Sequence, residues 1–107
     1  MSTNPYLKYC WEMGGATQSK FFKKYDDNGK LHCEDGPAEF NHDGINYYIH
    51  GKRHRVDGPA VITKYGHEVW CYNDIDISNK LFKFLKSQNL SRADITDDIM
   101  MLAILAD

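Results

Sequence analysis

The chain has no long hydrophobic run. Its longest apolar stretch, Ile99–Ala106, has eight residues, whereas a membrane-spanning helix needs about 20. Met1–Lys8 does not show the basic segment followed by an apolar one that marks a secretory signal. The net charge is only −2, from 13 Lys and Arg against 15 Asp and Glu, so the chain as a whole is not drawn to nucleic acid or anionic lipid. We therefore expect a protein that neither spans a membrane nor is secreted.

Residues that carry covalent or metal chemistry are also scarce. Cys10, Cys33 and Cys71 are the only cysteines, and no two of them form a Cys-x-x-Cys pair. An odd number of separated cysteines argues against a disulfide framework and for reduced thiols. His-Glu-x-x-His, Gly-x-Ser-x-Gly and P-loop motifs are absent from the sequence, although such motifs mark many hydrolases and nucleotide-binding enzymes. We expect a cytoplasmic protein that is not an enzyme and binds no cofactor or metal.

What the chain does contain is an internal repeat. Its 107 residues, 42% of them hydrophobic and 26% charged, suit one small domain. Asn28–Ala38 aligns with His50–Ala60 at an offset of 22 residues, with Gly, Lys, His, Asp, Gly, Pro and Ala recurring, and Gly44 pairs with Gly66 at the same offset. A period of this length is typical of supersecondary units that stack on one another.

The repeated residues predict β-structure. Asn28-Gly29 and His50-Gly51 are typical of two-residue hairpin turns, where Gly supplies a positive φ. Each Asp-Gly-Pro corner ends a strand, because Pro has no N–H for a sheet ladder. Short segments rich in β-branched and aromatic residues lie between the turns. We predict an antiparallel β-meander of roughly 22-residue hairpin repeats over residues 1–74, with repeats at about 28–49 and 50–72 and a degraded unit before residue 28.

Residues 75–107 are predicted to form a C-terminal two-helix hairpin packed on the sheet, which makes the fold class α+β and the chain a single domain. Ser78 is a favourable N-cap for the first helix. Two starts stay open for the second helix: a capping box from Ser91 to Asp94, or an N-cap at Thr96.

The repeated His and Asp residues allow two interpretations. His32 and Asp35 recur as His54 and Asp57, and such pairs can hold a metal ion or exchange protons. Residues that recur beside every Gly-Pro corner are more typical of turn-stabilising groups, because His and Asp side chains hydrogen-bond loop backbone. We interpret the four as structural repeat corners and keep a metal-dependent hydrolase as the weakest of three functional hypotheses.

The densest basic cluster lies in the second repeat. Lys52, Arg53 and Arg55, set beside Tyr48 and Trp70, could form an aromatic and cationic face for single-stranded nucleic acid. The alternative is a solvated sheet edge on which lysines prevent edge pairing, with the aromatic residues buried beneath the helices. Because acidic residues are interleaved with the cluster, we favour the solvated edge and expect nucleic acid to be a less favoured partner than protein.

The last predicted helix has no polar side over Ile99–Ala106. One face can pack inside the domain, and an opposite face left in water indicates an interface. We assign Met100, Met101, Ile104 and Leu105 to a protein-binding interface, with a homodimer through this helix as one arrangement. A helix fully buried between the sheet and the first helix is the alternative.

Two segments resemble a known viral repeat. Lys30–Ala38 and Gly51–Ala60 are similar to the W-Y-x-N-G-K-x-H-R-x-D-G-P-A repeat of tailed-bacteriophage and giant-virus proteins. Those arrays often end in a tryptophan strand and a short helical tail, as Trp70–Asp74 and the residues after it do here. The resemblance covers about residues 21–85.

The chain departs from this repeat at Cys33, where Arg is usual, and at Tyr47 and Asp74, where Trp and Gly are usual. The hairpin layout is also similar to membrane-occupation-and-recognition-nexus repeats, but their Gly/Tyr spacing is not reproduced. The resemblance implies a bacteriophage source and the host-cell cytoplasm, and it transfers no activity to particular residues.

Three functional hypotheses follow. The first is a small non-enzymatic phage interaction protein that binds, and inhibits or modulates, a host defence or regulatory macromolecule; its partner would be a host or phage protein. The second is a nucleic-acid-binding module that uses the basic and aromatic face. The third is the metal-dependent hydrolase. Size and source alone support the first, which is an argument by association.

Overall fold

The computed structural model of the protein describes residues 4–13 and 21–106. These residues form an α+β fold of antiparallel strands with helices at the C-terminus, as the sequence predicts, and a further helix near the N-terminus. The helices are α1 (Pro5–Glu12), α2 (Ser78–Ser87) and α3 (Asp97–Leu105), with a 3₁₀ turn at Arg92–Asp94. The strands are β1 (Phe22–Lys23), β2 (Glu39–Asn41), β3 (Gly44–Asn46), β4 (Tyr48–Ile49), β5 (Lys52–Arg53), β6 (Val61–Thr63), β7 (Glu68–Val69), β8 (Cys71–Tyr72) and β9 (Ile75–Asp76). Within the described ranges, every helix is too short or too polar to cross a bilayer.

The strands form three sheets and not the single meander that the sequence predicts. Five strands make an antiparallel sheet in the order β1-β2-β3-β6-β7, while β4-β5 and β8-β9 are separate two-stranded hairpins. The chain leaves the large sheet at Tyr47 and again at Trp70, each placed between two strands. Pro59 has no N–H for a sheet ladder, so the chain turns a corner there before β6 begins. Strand β4 pairs with β5 in a hairpin of its own.

Backbone hydrogen bonds join the small hairpins side by side, and equivalent bonds occur in both copies of the sequence repeat. The Gly51 amide donates to the Leu31 carbonyl at 2.8 Å, and the Asp74 amide donates to the Arg53 carbonyl at 2.8 Å. Within each hairpin, both central residues of the turn have positive φ: His50 at 48° with Gly51 at 81° between β4 and β5, and Asn73 at 48° with Asp74 at 74° between β8 and β9. These dihedral angles are those of type I′ turns, which suit the twist of a two-residue hairpin.

Helix α1 is an element that the sequence analysis did not identify. Asn4 caps it by accepting hydrogen bonds from the amides of Tyr6 at 2.8 Å and Leu7 at 3.4 Å, and Pro5 occupies the first turn. Asn followed by Pro is a helix-start signal. Buried side chains of α1 and of the large sheet form one core cluster: Tyr6, Cys10, Phe40, Ile45 and Ile62.

The C-terminal helices form a second core cluster against the strand that ends the repeats. Its buried members are Trp70, Ile77, Leu81, Leu85, Met100 and Ala103. Ser78, which the sequence predicts as the N-cap, is instead the first residue of α2, and Ile77 stands at the cap position. The Ser78 hydroxyl accepts a hydrogen bond from the Trp70 amide at 2.9 Å. Both alternative starts for the last helix are used, because Ser91 and Asp94 form a capping box on the 3₁₀ turn and Thr96 caps α3.

Candidate functional site

The repeated histidines hold the turns of neighbouring hairpins. Nδ1 of His32 accepts a hydrogen bond from the His50 amide at 2.9 Å. Nδ1 of His54 accepts one from the Asn73 amide at 3.1 Å. A ring nitrogen that accepts from an amide carries no proton, so the neutral ring has its proton on Nε2. The sequence analysis assigned these residues to the Gly-Pro corners, but their bonds stabilise the type I′ turn of the following small hairpin.

His50 and Asp26 form a polar cluster at the first of these turns. The His50 ring stacks on His32 with a centroid distance of 4.1 Å, and its Nδ1 lies 2.8 Å from Asp26 Oδ2. Asp26 Oδ1 also accepts from the amides of Asn28 at 2.8 Å and Lys30 at 3.0 Å. These hydrogen bonds, of which the one from His50 has the largest effect, lower the pKa of Asp26 to about 2. The carboxylate therefore acts as an ionised turn anchor.

The two corner aspartates bind the side chain two residues before them. Arg55 Nε donates to Asp57 Oδ1 at 2.8 Å, and this bond holds the pKa of Asp57 below its usual value. Cys33 Sγ donates to Asp35 Oδ1 at 3.1 Å and lowers the pKa of Asp35 in the same way. Because a carboxylate of lowered pKa is a weak base, Asp35 is poorly suited to deprotonating the thiol.

A cleft of about 410 Å³ separates the two corners. It is lined by Cys33, Glu34, Asp35, Gly36, Tyr47, Ile49, His54, Arg55, Val56 and Asp57. The hydrogen bonds already described engage Cys33, Asp35, His54, Arg55 and Asp57 of this wall, and Glu34 is exposed. In residues 4–13 and 21–106, no three His, Cys, Asp or Glu side chains are placed to hold a metal ion. The cleft thus provides no geometry that supports the hydrolase hypothesis.

The five residues of the predicted nucleic-acid face do not share one open surface. Trp70 is 3% exposed and lies inside the C-terminal core cluster. Arg53 pairs with Asp74 at 3.3 Å. Arg55 lies 4.0 Å above the Tyr47 ring and donates to the Pro59 carbonyl at 3.1 Å.

The two remaining residues of that face are Lys52, which is exposed, and Tyr48, which is half-buried. Burial raises the pKa of the Tyr48 phenol. A stacking platform needs several exposed rings beside free cations, and this surface lacks that combination within the described chain. No geometric observation favours the nucleic-acid hypothesis.

The four residues assigned to the apolar interface divide between the inside and the outside of α3. Met100 is 0% exposed and belongs to the core, and Ile104 is partly buried against it. Met101 is 46% exposed and Leu105 is 76% exposed. Leu102, which the sequence analysis did not single out, is 51% exposed. Met101, Leu102 and Leu105 together with Asp98 occupy positions i, i+3, i+4 and i+7 of the helix, and we call these four residues the outer stripe.

A groove of about 340 Å³ lies beside the C-terminal end of the outer stripe. Phe84 and Ala106 provide its apolar surface, Ser87 is at its edge, and Lys80 and Lys83 of α2 provide its positive charge. The sequence analysis missed this groove because its residues come from α2 and from Ala106 after α3, which are far apart in the sequence. Comparison of the chain with protein-family models, curated proteins and solved structures finds no match.

Proposed function

We propose that the protein is a non-enzymatic interaction protein that binds, and by binding modulates, a macromolecule of the host cell, and that the outer stripe is its contact surface. The observation that carries the proposal is the exposure of three large apolar side chains, Met101, Leu102 and Leu105, on one helix face. Exposed apolar side chains grouped in one patch mark interaction sites far more often than scattered ones do.

Folding alone does not require these side chains to be apolar. The described residues form a flat body whose shortest dimension is 18 Å. This thickness accommodates about two layers of secondary structure, which pack roughly 10 Å apart. Helix α3 already buries Met100 and Ala103 on its inner side. Polar residues on the outer side would serve the fold equally well, so an external partner is the better explanation of the stripe.

The viral resemblance supports a host macromolecule as the target. A repeat similar to those of tailed bacteriophages implies that the protein acts inside an infected bacterium. A chain of 107 residues whose corner side chains are held in hydrogen bonds is better suited to occupying a surface than to performing a reaction.

We also propose that the two copies are structural repeats and that α2 and α3 cap the array. Trp70 stands in the second copy where Tyr47 stands in the first, and the helices cover Trp70. Terminal caps of this kind protect the last unit of a stacked array.

Equivalent roles predict equal costs of removing the repeated histidines. We expect His32→Ala and His54→Ala each to lower the free energy of unfolding by about 1–2 kcal/mol, because each leaves one turn amide without its acceptor. His67→Ala, at an exposed position, is the control and should change it by less than about 0.5 kcal/mol. Urea denaturation followed by far-UV circular dichroism measures all three. Unequal losses at the two repeated histidines would contradict the repeat proposal.

The function is tested by affinity capture from a bacterial lysate. We expect the unmodified protein to retain a host macromolecule that Leu102→Glu/Leu105→Glu fails to retain, because two charges in an apolar contact are costly to desolvate. Ile75→Glu, at a residue that is also exposed but lies in β9, is the matched control and should retain it. Circular dichroism verifies that each variant is folded. Retention by the double variant, or no retained macromolecule with the unmodified protein, contradicts the proposal.

A further inference from the structure

The outer stripe carries charge as well as apolar surface. Asp98 begins it, in the first turn of α3, and Leu105 ends it about 10 Å further along the helix at 1.5 Å per residue. Asp98 is exposed. The N-terminal end of the stripe is therefore acidic, and its C-terminal end is apolar.

The opposite charge lies beside the far end of the same stripe. Lys80 and Lys83 line the groove that reaches Ala106, immediately after α3. Both lysines are exposed, and the structure shows no ion pair for either of them among the described residues. One helical hairpin thus presents an acidic group, an apolar stripe and a basic groove in that order.

This order is self-complementary under a twofold axis. If two α3 helices meet antiparallel through their outer stripes, Asp98 of each lies against the C-terminal end of the other helix, where the groove lysines are. A parallel pairing would place the two Asp98 carboxylates together and leave all the lysines unpaired. A twofold contact also lets one apolar patch cover itself.

We infer that a second copy of the chain covers the outer stripe, in an antiparallel twofold contact in which Asp98 of each copy faces Lys80 and Lys83 of the other. This inference rests on the proposed function, because it names the occupant of the same surface in the isolated protein. The host macromolecule then binds by displacing the second copy. The dimer is the resting form of the protein.

The contact is small, which is typical of weak and transient interfaces. Three apolar side chains and one groove on each copy make a smaller patch than the roughly 800 Å² per partner of a standard interface. We therefore expect a dissociation constant of about 1–100 μM, which weakens as salt screens the exposed ion pairs. Dimerisation is then visible at the concentrations used for light scattering and sedimentation.

Exchanging the charges tests this arrangement. Lys80→Glu/Lys83→Glu places like charges against the partner's Asp98, and Asp98→Lys places like charges against the partner's lysines. We expect each variant alone to raise the dissociation constant at least about tenfold, since like-charge contacts disfavour association. An equimolar mixture of the two variants should form a heterodimer, because both contacts then pair opposite charges. Sedimentation velocity with one variant fluorescently labelled measures all three samples.

Lys8→Glu/Lys52→Glu is the matched control, since it changes the net charge equally at two exposed lysines outside α2 and α3, and its dimer should match the unmodified protein. A monomer for the unmodified protein at 200 μM, or a mixture no better associated than the separate variants, overturns the inference. A monomer that still captures a host macromolecule through the outer stripe leaves the proposed function standing. Charge-swap rescue without any captured macromolecule contradicts the proposed function and supports the dimer.

Discussion

Replacing Trp70 by alanine is expected to lower the free energy of unfolding by about 3–5 kcal/mol, the usual range for removing a buried aromatic side chain. The Trp70 ring is buried between the end of the repeats and the C-terminal helices, with Ile77 and Leu81 in the same cluster. The ring makes a T-shaped contact with Phe82 at a centroid distance of 5.5 Å, and the Arg92 guanidinium lies 5.3 Å from the ring centre. The large cavity left by Trp70→Ala loosens both helices from the strand.

Trp11→Ala is the matched control for this prediction, because Trp11 is 82% exposed on α1. Surface substitutions usually change stability by no more than about 0.5 kcal/mol. Urea denaturation followed by far-UV circular dichroism compares the two variants without relying on tryptophan fluorescence. Equal losses at the two positions would show that Trp70 does not join the helices to the repeats.

Signals that act over a few residues were predictable from the sequence. The type I′ turn at His50-Gly51 follows from the glycine, and the caps at Ser91 and Thr96 follow from hydroxyl side chains placed before acidic residues. Turn and cap preferences depend on the backbone of a few neighbouring residues, so they can be predicted from a short stretch of sequence.

Features that depend on distant residues were not predictable in this way. The division into three sheets depends on how β3 pairs with β6, and these strands are separated by a whole hairpin. The ion pair between Arg53 and Asp74 joins residues 21 positions apart. The sequence therefore shows Arg53 only as part of a basic cluster. The sequence left two placements open for Trp70, a ring on the surface or a ring beneath the helices, because nothing local shows where α2 and α3 pack.

The candidate interface was half predictable for the same reason. A helix that is apolar on all sides predicts some exposed apolar surface. Which face of it is buried depends on where α2 packs. Met100 and Met101 are neighbours with the same side chain, and only the packing of α3 on α2 and Trp70 separates their roles. No local pattern distinguishes them.

This pair provides the sharpest test of how α3 is oriented. Met100→Glu is expected to lower the free energy of unfolding by more than about 3 kcal/mol, because a carboxylate in an apolar core is either desolvated without a partner or must be protonated. Against a total stability of about 5–15 kcal/mol for a domain, this loss is a large share and lowers the unfolding midpoint markedly. Met101→Glu changes the chain in the same way one residue later, at a side chain that is 46% exposed.

We therefore expect the free energy of unfolding of Met101→Glu to lie within about 0.5 kcal/mol of the unmodified protein's, as is usual at exposed positions. We also expect this variant to be a monomer, because its charge lies in the outer stripe. Thermal unfolding followed by circular dichroism, together with light scattering, separates the two effects. A helix buried on all sides would make both variants unstable, and a helix with no function on its outer side would leave Met101→Glu unchanged in both stability and association. A helix with one buried face and one binding face produces a particular combination. Met100→Glu loses stability, whereas Met101→Glu loses association and keeps its stability.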